Sequence, residues 1–279
     1  MKGLVFGAGF LGMRISEKFN YELSRVNVLD RYTLEQTLDS VKPDIVVNTI
    51  GKTGKPNIDW CETHKEETFI SNVIAAANLG ITCSEKGIYF VHLGSGGIYT
   101  GKNGEKGFNE EDEPNFYEQT YTRTKIIAEK ILKEFPCLQL RINMPLDDRP
   151  HEKNLIDKLK SYKKIADVKN SITAVPDILN SLGILIEKRK VGVYNATNPG
   201  LISLVEIMQM YKEIVDPLHE FEIISNEELN KLLLKRKADG ILDTSKIARE
   251  GIIMPNIHDA VKSCLIDYKK HFTSDMISV

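Results

Sequence analysis

The sequence lacks the features of several protein classes. Its 279 residues include only four cysteines, Cys61, Cys83, Cys137 and Cys264, with no CxxC pair and no Cys/His cluster. This spacing predicts neither a zinc site nor a disulfide framework, and it suits a reducing compartment. No apolar run of about 18 residues is long enough to cross a membrane, and the chain opens without a signal-peptide pattern. We therefore expect a cytoplasmic protein with no metal and no membrane contact.

An excess of either charge is also missing. The chain has 37 lysine and arginine residues against 39 aspartate and glutamate residues, so its net charge is -2. Because a polyphosphate backbone is bound by a broad basic surface, we do not expect nucleic acid as a partner. The length fits one large α/β domain that carries a smaller lobe.

What the sequence does contain is short apolar runs that alternate with amphipathic segments. This alternation is typical of βαβ units and predicts an α/β fold built on a Rossmann-type doubly wound parallel sheet. Strands are predicted at 3–7, 26–29, 44–50, 88–93, 138–143 and 191–196, and helices at 63–79, 120–134, 155–162, 176–187, 204–215, 226–235 and 257–272.

The pattern loosens after residue 145, which suggests a second structural unit. We assign residues 1–145 to the sheet domain and expect a stretch at about 188–200 to complete its sheet. Residues 146–187 and 201–279 are predicted to form a small C-terminal lobe. The acidic run at 109–113 is expected to be a solvated loop.

The first predicted strand ends in GAGFLG, a GxGxxG pattern placed between a strand and a helix. In such a turn Gly7 permits the tight bend, Gly9 lets a pyrophosphate approach the backbone, and Gly12 lets the helix lie close to the sheet. Phe10 and Leu11 begin the helix, whose N-terminus supplies amide donors for an anion. The pattern predicts a dinucleotide-binding site.

Three charged residues bear on the choice between NADP and NAD. An NAD site commonly has an acid about 20 residues beyond the glycines for the ribose 2'-hydroxyl, whereas an NADP site has an arginine near the 2'-phosphate. Asp30 suits the first role, and Arg14 and Arg25 suit the second; a solvated surface charge is the alternative for each arginine. We predict NADPH as the cofactor, with NADH as the alternative.

A polar loop follows the strand that ends in VVNTIG. It lies at the expected carboxyl edge of the sheet, where ligands of open α/β sheets bind. A plain polar loop is the alternative. We predict cofactor contacts from Ile50, Gly51, Lys52 and Asn72, and substrate contacts from Thr53 and Asn57.

A second chemical pattern is YTRTK, in which Tyr121 and Lys125 lie one turn apart on a predicted helix. A nearby ammonium lowers the pKa of a phenol, which makes the phenol a better proton donor to a carbonyl that accepts hydride. Ser95 follows the strand YFVHL and can bond the same carbonyl oxygen. Together with the glycine turn, these three residues predict a catalytic site for carbonyl reduction.

These motifs resemble the extended short-chain dehydrogenase/reductases. More narrowly, IGKTGKPNIDWCETHKEET, GFNEEDEPNFYEQTYTRTK, LRINMP, YNATNPGLISLVEI and LDTSKI resemble the 4-keto-6-deoxy nucleotide-sugar reductases of the dTDP-rhamnose reductase type, and the epimerase/reductase half of UDP-rhamnose synthases. The resemblance runs over almost the whole chain.

The resemblance implies NADPH-dependent reduction of the C4 ketone of a UDP- or dTDP-linked 4-keto-6-deoxy sugar in rhamnose-type biosynthesis. It implies Tyr121 as the acid, Lys125 as the residue that holds the tyrosine and the nicotinamide ribose, and Ser95 as the group that positions the oxygen. It also implies that Arg14 meets the 2'-phosphate.

On the substrate side, Gly96 and Gly97 after Ser95 let the sugar lie close to the strand end. A diphosphate contact is expected from Arg236, with a solvated charge as the alternative, and Lys158 is either a phosphate ligand or a surface lysine. The predicted substrate-binding residues are Thr53, Asn57, Gly96, Gly97, Asn143, Lys158 and Arg236.

One departure from the family affects the expected reaction. Relatives that also epimerise C3 and C5 carry a cysteine where this sequence has Gly97, paired with a lysine corresponding to Lys158. Because glycine can neither remove nor return a proton, reduction alone is the preferred reaction. A bifunctional 3,5-epimerase/4-reductase that makes UDP-L-rhamnose with Cys61 or a water relay in place of the missing thiol is one alternative, and a catalytically silent NADP-binding sensor or scaffold is another. The sequence leaves the base, the sugar stereochemistry and a homodimer open.

Overall fold

The structure is a computed structural model that describes residues 1–55 and 57–277, with side chains as far as residue 271. Ten strands are present in these ranges. They are β1 (Gly3–Phe6), β2 (Glu22–Ser24), β3 (Ile45–Asn48), β4 (Tyr89–Ser95), β5 (Cys137–Ile142), β6 (Lys164–Ala166), β7 (Lys169–Asn170), β8 (Gly192–Asn195), β9 (Ile202–Ser203) and β10 (Glu222–Ile224).

Twelve α-helices and one π-helical stretch (Ile70–Ile74) connect the strands of the described residues. The α-helices are α1 (Phe10–Phe19), α2 (Arg31–Val41), α3 (Trp60–Thr63), α4 (Lys65–Phe69), α5 (Ala75–Glu85), α6 (Thr120–Leu132), α7 (Leu155–Lys160), α8 (Val175–Glu187), α9 (Leu204–Ile214), α10 (Asn226–Leu232), α11 (Ser245–Arg249) and α12 (Ile257–Ile277).

Six strands form one parallel sheet in the order β2-β1-β3-β4-β5-β8. The chain moves outward from β1 to β2 and then returns to the other side of β1 as β3, so the direction of winding reverses between β1 and β3. Ligands of such sheets bind at the carboxyl ends of the strands near this reversal. The expected doubly wound parallel sheet is confirmed.

Alternate residues of the strands pack into cores on the two faces of the sheet, as the period of a strand requires. On one face, Val5 and Val47 pack with helices α1 and α8. On the other face, Leu4, Phe6 and Val46 pack with helices α2, α5 and α6. Because both faces are covered, the strands are apolar throughout, as is typical of buried parallel sheets.

A third core holds the C-terminal part together. It includes Ile156 of α7, Met208 of α9 and Val261 of α12. Two small sheets accompany it, formed by β10 with β6 and by β7 with β9. No helix of the described ranges has the length and hydropathy that a membrane span needs.

Two parts of the predicted lobe pack on the main sheet instead. Helix α8 lies within 146–187, yet Ile178 and Leu182 belong to the same core as Val5 and Ile15. Helix α11 contributes Ile247 to that core as well. Apolar periodicity alone did not reveal which layer these helices cover. Residues 278–279 of the predicted lobe lie outside the described residues.

The second strand was predicted at 26–29 but lies earlier, at Glu22–Ser24, where it pairs with β1. The apolar side chain that suggested a strand, Val28, is buried in the core beside α5 instead, and the Asn78 amide donates to the Val28 carbonyl. The acidic run also differs from expectation. Glu110 is buried and accepts a hydrogen bond from the Asn195 amide at 2.8 Å.

Candidate active site

The glycine turn joins β1 to α1 and admits almost no side chain. Gly7 has φ +101°, which favours glycine, and a Cβ on Gly12 would lie 1.8 Å from the Gly7 carbonyl oxygen. The Thr49 hydroxyl lies 3.0 and 2.7 Å from the carbonyl oxygens of Phe6 and Gly7, so the end of β3 holds the turn. A Cβ on Gly9, in contrast, would meet no protein atom within 4 Å.

The backbone amides at the N-terminus of α1 have no side-chain acceptor. Gly9 is the N-cap, no side chain caps the helix, and the first turn contains no acidic residue. The amides that begin an α-helix are unsatisfied unless a cap or a ligand accepts from them, and the helix dipole favours an anion there. Phe10 and Leu11 therefore lie where a pyrophosphate fits.

Asn72 connects the loop after β3 with the catalytic helix. This side chain lies in the π-helical stretch and is fully buried. Its Oδ1 accepts from the Lys52 amide at 2.7 Å, and its Nδ2 donates to the Lys52 carbonyl at 3.2 Å and to the Thr124 hydroxyl at 3.0 Å. The Thr124 hydroxyl donates in turn to the Tyr121 carbonyl on α6. The loop and the helix are thus held in one geometry.

Ser95, Tyr121 and Lys125 come together at the carboxyl edge of the sheet. Ser95 is the last residue of β4 and is buried, and its hydroxyl lies close enough to the Tyr121 phenol to lower the pKa of that phenol. Lys125 lies one turn further along α6, and its ammonium donates to the Leu93 carbonyl at 3.2 Å. A Cβ on Gly51 would lie 3.4 Å from the Lys125 Nζ, so the loop after β3 passes directly over this ammonium.

The expected acidification of the phenol is wrong for this structure. Burial raises the pKa of Tyr121 to about 12, and the hydrogen bond from Ser95 only partly opposes that rise. Burial also lowers the pKa of Lys125 to about 8. Desolvation disfavours the charged form of both groups, and it outweighs the attraction that the spacing of the pair suggested.

Two partly buried lysines, Lys158 and Lys237, come from the C-terminal lobe. We call the part of the site that they belong to the lobe side. Lys158 belongs to α7, and Lys237 lies between α10 and α11. Burial lowers the pKa of both ammonium groups, and the charges of Lys153 and Lys237 lower that of Lys158 further. Neither Lys158 nor Lys237 has a hydrogen bond or ion pair from its ammonium within the described ranges. The negative charge of Asp59 partly opposes the lowering of the Lys237 pKa.

The segment that carries Lys237 passes beside the catalytic serine. A Cβ on Gly97 would lie 3.6 Å from the Ser95 Oγ and 3.9 Å from the Ala238 Cβ. The Ser95 hydroxyl also accepts from the Gly97 amide at 3.2 Å. Lys237, which precedes Ala238 in the chain, therefore belongs to a segment that reaches the Ser95 region.

Residues 1–270 match the family model described as the RmlD substrate binding domain. The chain belongs to this RmlD family. It is 35% identical, over 96% of its length, to a trifunctional UDP-glucose 4,6-dehydratase/UDP-4-keto-6-deoxy-D-glucose 3,5-epimerase/UDP-4-keto-L-rhamnose-reductase of Arabidopsis thaliana, and it spans 41% of that longer relative. It is also 35% identical to a bifunctional dTDP-4-dehydrorhamnose 3,5-epimerase/dTDP-4-dehydrorhamnose reductase of Arabidopsis thaliana, with 84% of this chain and 80% of the relative covered.

Solved structures agree with the RmlD assignment. The L780 UDP-rhamnose synthase from Acanthamoeba polyphaga mimivirus superposes with a TM-score of 0.89 at 28% identity, covering 96% of this chain and 99% of that one. A dTDP-4-dehydrorhamnose reductase from Bacillus anthracis in complex with NADP shares the fold, with a TM-score of 0.81 at 20% identity and coverage of 96% and 100%. The predicted family resemblance is confirmed.

Arg14 was expected to meet the cofactor near the glycine turn. In this RmlD-family fold its guanidinium is bound by carboxylates instead. Its guanidinium lies 2.9 Å from Asp147 and 3.0 Å from Asp148, and its side chain is only 12% exposed. Asp30 likewise turns to a local partner, because its carboxylate caps α2 by accepting from the Thr33 amide. Arg25 lies directly after β2 and is exposed.

The predicted substrate residues are only partly brought together. Gly96, Gly97 and Asn143 lie at the carboxyl ends of β4 and β5 beside Ser95, and the Asn143 amide group donates to the Ser171 carbonyl at 2.8 Å. Arg236 turns away from this group. It pairs with Glu118 at 3.1 Å, which leaves the adjacent Lys237 as the cation beside the site.

The loop after β3 contributes mainly backbone. The Lys52 ammonium points outward, 3.5 Å from Glu67, while its amide and carbonyl bond Asn72. The Ile50 amide donates to the Asn48 side chain at 2.9 Å. The Asn57 side chain accepts from the Asp59 amide at 2.8 Å, and Thr53 is partly buried in the same loop.

Cys61 lies near the phenol of Tyr121 but has no exposed surface. Its thiol faces the Lys52 carbonyl at 4.0 Å, and burial raises the pKa of this thiol. A buried neutral thiol is a poor base, so this geometry does not favour the proposed use of Cys61 for epimerisation.

Sequence reasoning missed three residues of this RmlD-family site. Thr49 holds the glycine turn, Thr124 connects Asn72 to α6, and Lys237 is a partly buried cation next to Ala238, which approaches Gly97. The two threonines directly precede the predicted site residues Ile50 and Lys125, so their positions were a usable signal. For Lys237 the only signal was its membership in the run KRK, which does not say which cation turns inward.

Proposed function

We propose that this RmlD-family chain reduces the C4 ketone of a UDP- or dTDP-linked 4-keto-6-deoxy sugar with NADPH, in rhamnose-type deoxysugar biosynthesis. The observation that carries the proposal is the close approach of Ser95 and Tyr121 at the carboxyl end of β4, with the ammonium of Lys125 one helical turn away. The names of the plant relatives support it, because both include the reduction of a 4-keto sugar linked to UDP or dTDP.

The residues at the glycine turn fit a dinucleotide. The uncapped N-terminus of α1 offers amide donors to a pyrophosphate, and Gly9 leaves space for it above the backbone. The loop after β3 places Gly51 and Lys52 between this turn and the catalytic group. When bound, NADPH supplies the hydride; NADH is the alternative cofactor.

The chain's own residues then supply the proton. Ser95 and Tyr121 donate hydrogen bonds to the ketone oxygen and hold it in place. Because the pKa of Tyr121 is about 12, the phenol is protonated at neutral pH and ready to donate. The alkoxide that forms at the substrate oxygen is more basic than a phenolate, so the proton moves from Tyr121 to that oxygen. The charge of Lys125 stabilises the phenolate that remains.

The lobe side supplies the contacts for the rest of the substrate. Lys158 and Lys237 are partly buried cations without a partner in the described part of the chain, and the residue after Lys237, Ala238, approaches Gly97. A diphosphate is the part of the proposed substrate that carries matching charge. Its negative charge offsets the cost of burying the two ammonium groups.

The cysteines, the net charge and one exposed apolar groove bear on the cellular setting and the partners. All four cysteines are free and buried, which suits a reducing cytoplasm. The near-zero net charge argues against a nucleic-acid partner. A homodimer is proposed on the groove between α4 and α6, where Phe69 and Ile127 are 40% and 38% exposed.

The test is Tyr121→Phe, which removes the proton donor and keeps the ring. With a 4-keto-6-deoxy UDP- or dTDP-sugar as substrate, we expect the kcat of NADPH oxidation to fall by about 10²- to 10⁴-fold, because general acid catalysis contributes that much. The affinity for NADPH, measured by fluorescence titration, should stay within about twofold.

Tyr117→Phe is the matched control, since Tyr117 is an exposed tyrosine four residues earlier. It should leave kcat unchanged. Unaltered turnover in Tyr121→Phe would refute the proposed acid. If the unmodified protein turned over none of these sugars while it bound NADPH, the silent binding protein would be the better description.

A further inference from the structure

Threonines alternate with other residues at the start of α6, in the run TYTRTK that carries the proposed catalytic tyrosine and lysine. All three threonines are at most 5% exposed, and each hydroxyl contacts a different part of the chain. Thr120 contacts α3, Thr122 contacts the loop after β4, and Thr124 contacts the π-helical stretch. The catalytic helix is therefore held from three directions, and the contact of Thr122 leads to Ser95.

The segment after Ser95 consists of two glycines, which have no side chain that packing could hold, so its position depends on hydrogen bonds. The Gly96 amide donates to the Ile142 carbonyl at 2.8 Å, and the Gly97 amide donates to the Ser95 hydroxyl at 3.2 Å. The Gly97 carbonyl accepts from the Thr122 hydroxyl at 3.2 Å. Thr122 thus holds the same glycine whose amide orients Ser95.

These contacts form a closed circuit around the catalytic pair. The circuit runs from the Ser95 hydroxyl through the amide and carbonyl of Gly97 to the Thr122 hydroxyl. One peptide bond then leads to Tyr121, whose phenol lies beside Ser95. A hydroxyl has one proton and two lone pairs, so a serine that accepts from Gly97 directs its own proton elsewhere. The direction of that proton decides whether Ser95 can bond the ketone oxygen together with Tyr121.

The surroundings of Thr122 suit this role. Its side chain is 1% exposed, so bulk water does not replace the bond to Gly97. A second acceptor, the Gln119 Oε1, lies farther from the hydroxyl, at 3.4 Å. Because threonine is β-branched, few χ1 rotamers are open to its hydroxyl on a helix. The donor is therefore fixed in direction as well as in place.

We propose that Thr122 is a positioning residue, whose hydroxyl fixes Gly97 so that the Ser95 hydroxyl and the Tyr121 phenol meet the same ketone oxygen. The inference rests on the proposed function in taking Ser95 and Tyr121 as the catalytic pair. Thr122 acts through Ser95 and is not itself a proton donor to the substrate.

The first test compares Thr122→Val, which keeps the branched shape without the hydroxyl, with Thr122→Ser, which keeps the hydroxyl. With NADPH and a 4-keto-6-deoxy UDP- or dTDP-sugar, we expect Thr122→Val to lower kcat about 10- to 100-fold, because small displacements of a catalytic group are that costly. KM for the sugar should change by less than about threefold, since no substrate contact is removed. Thr122→Ser should restore kcat. An unchanged kcat in Thr122→Val would overturn the proposal.

Thr82→Val is the matched control. Thr82 is also a helical threonine that is 1% exposed, and its hydroxyl donates to the Asn78 carbonyl of the same helix at 2.8 Å. It lies in the last turn of α5, which leads into the start of β4 at the edge of the sheet opposite to the site. Its kcat should be unchanged. An equal loss of kcat in Thr82→Val would show a general effect of removing a buried hydroxyl, and the proposal would fall.

A double variant separates positioning from a general loss of structure. Ser95→Ala removes the hydroxyl through which Thr122 is proposed to act. In that background we expect Thr122→Val to change kcat by less than about threefold, because residues that act as one unit have non-additive effects. Two full and additive losses of kcat would contradict the proposed path through Ser95.

Crystal structures of the unmodified chain and of Thr122→Val separate this inference from the proposed function, because they require no turnover. We expect the Gly97 carbonyl to be displaced and the Ser95 hydroxyl to be rotated in the variant. That result would support the inference even if no keto sugar were reduced. Unchanged positions of both groups would overturn it even if the unmodified chain reduced the sugar.

Discussion

The two sides of the site differ in how their polar groups are satisfied. On the sheet side, formed by the glycine turn, the loop after β3 and the start of α6, the functional side chains already have partners within the chain. Asn72 makes three hydrogen bonds, and Lys125 donates to Leu93. On the lobe side, Lys158 and Lys237 have no such partner among the described residues.

This difference indicates what each side does before a ligand arrives. The sheet side is preorganised, since Ser95 lies beside Tyr121 and the helix that carries Tyr121 is connected to the loop after β3 by the hydrogen bonds of Asn72 and Thr124. Preorganised donors need no rearrangement when charge develops in a transition state. The lobe side holds unsatisfied charge, which favours an anionic ligand and contributes binding rather than proton transfer.

The largest expected effect comes from two glycines of the sheet side that differ only in their surroundings. Gly12→Ala places a Cβ 1.8 Å from a backbone oxygen, so we expect a loss of about 3 kcal/mol in the free energy of unfolding. Gly9→Ala meets no protein atom and should leave the fold intact, yet its methyl group lies where the pyrophosphate approaches.

Urea denaturation and NADPH titration distinguish the two variants. Gly9→Ala should unfold at nearly the same urea concentration as the unmodified chain while its affinity for NADPH falls at least about tenfold. Gly12→Ala should unfold early. If Gly9→Ala bound NADPH normally, the placement of the pyrophosphate above Gly9 would be wrong.

The second prediction concerns the lobe side. Its effect is smaller and is expected in KM rather than in the free energy of unfolding. Lys237→Ala removes a cation proposed to contact the diphosphate, so we expect KM for the nucleotide sugar to rise about 10- to 100-fold while kcat changes little. Because burial penalises this charge, the variant should be no less stable than the unmodified chain.

Lys235→Ala is the matched control, because Lys235 is exposed and lies two residues earlier in the chain. It should leave KM unchanged. UDP and dTDP are expected to inhibit competitively. Lys237→Ala should raise their inhibition constants, and Lys235→Ala should not. A loss of kcat without a change in KM for Lys237→Ala would contradict the division between the two sides.

The sheet side was the more predictable from sequence because its signals are local. The glycines of GAGFLG and the pair Tyr121/Lys125 lie within a few residues of each other, and their spacing fixes their relative positions on one turn or one helix. The position of Ser95 followed from the end of an apolar strand. The sizes and directions of the pKa shifts of Tyr121 and Lys125 could not be predicted from the sequence, because they depend on burial by distant parts of the chain.

The lobe side was less predictable because its contacts join residues far apart in sequence. Arg14 was expected at the cofactor, but Asp147 and Asp148, more than 130 residues later, take its guanidinium. Arg236 was predicted to contact the diphosphate but pairs with Glu118, because a run of cations does not reveal which side chain turns inward. Neighbouring residues in an irregular segment leave the backbone in different directions, and only packing decides between them.

The smallest effect is a pH dependence that sharpens the role of Lys125. Burial lowers the pKa of this ammonium to about 8, so its charged fraction falls about fourfold between pH 7 and pH 8.5. If the charge stabilises the phenolate of Tyr121, kcat/KM should fall by a similar factor over that range. Lys125→Met should have a lower plateau and no decline between these pH values.

Stability measurements separate this effect from unfolding, because the two have opposite signs. In the unfolded chain Lys125 titrates near pH 10.4, so between about pH 8 and pH 10.4 the unfolded state binds more protons than the folded state. The contribution of Lys125 to the free energy of unfolding therefore rises with pH in that window. A decline in kcat/KM above pH 8 that is accompanied by no loss of stability would place the titrating charge in the catalytic step, whereas a flat profile would exclude Lys125 as the titrating group.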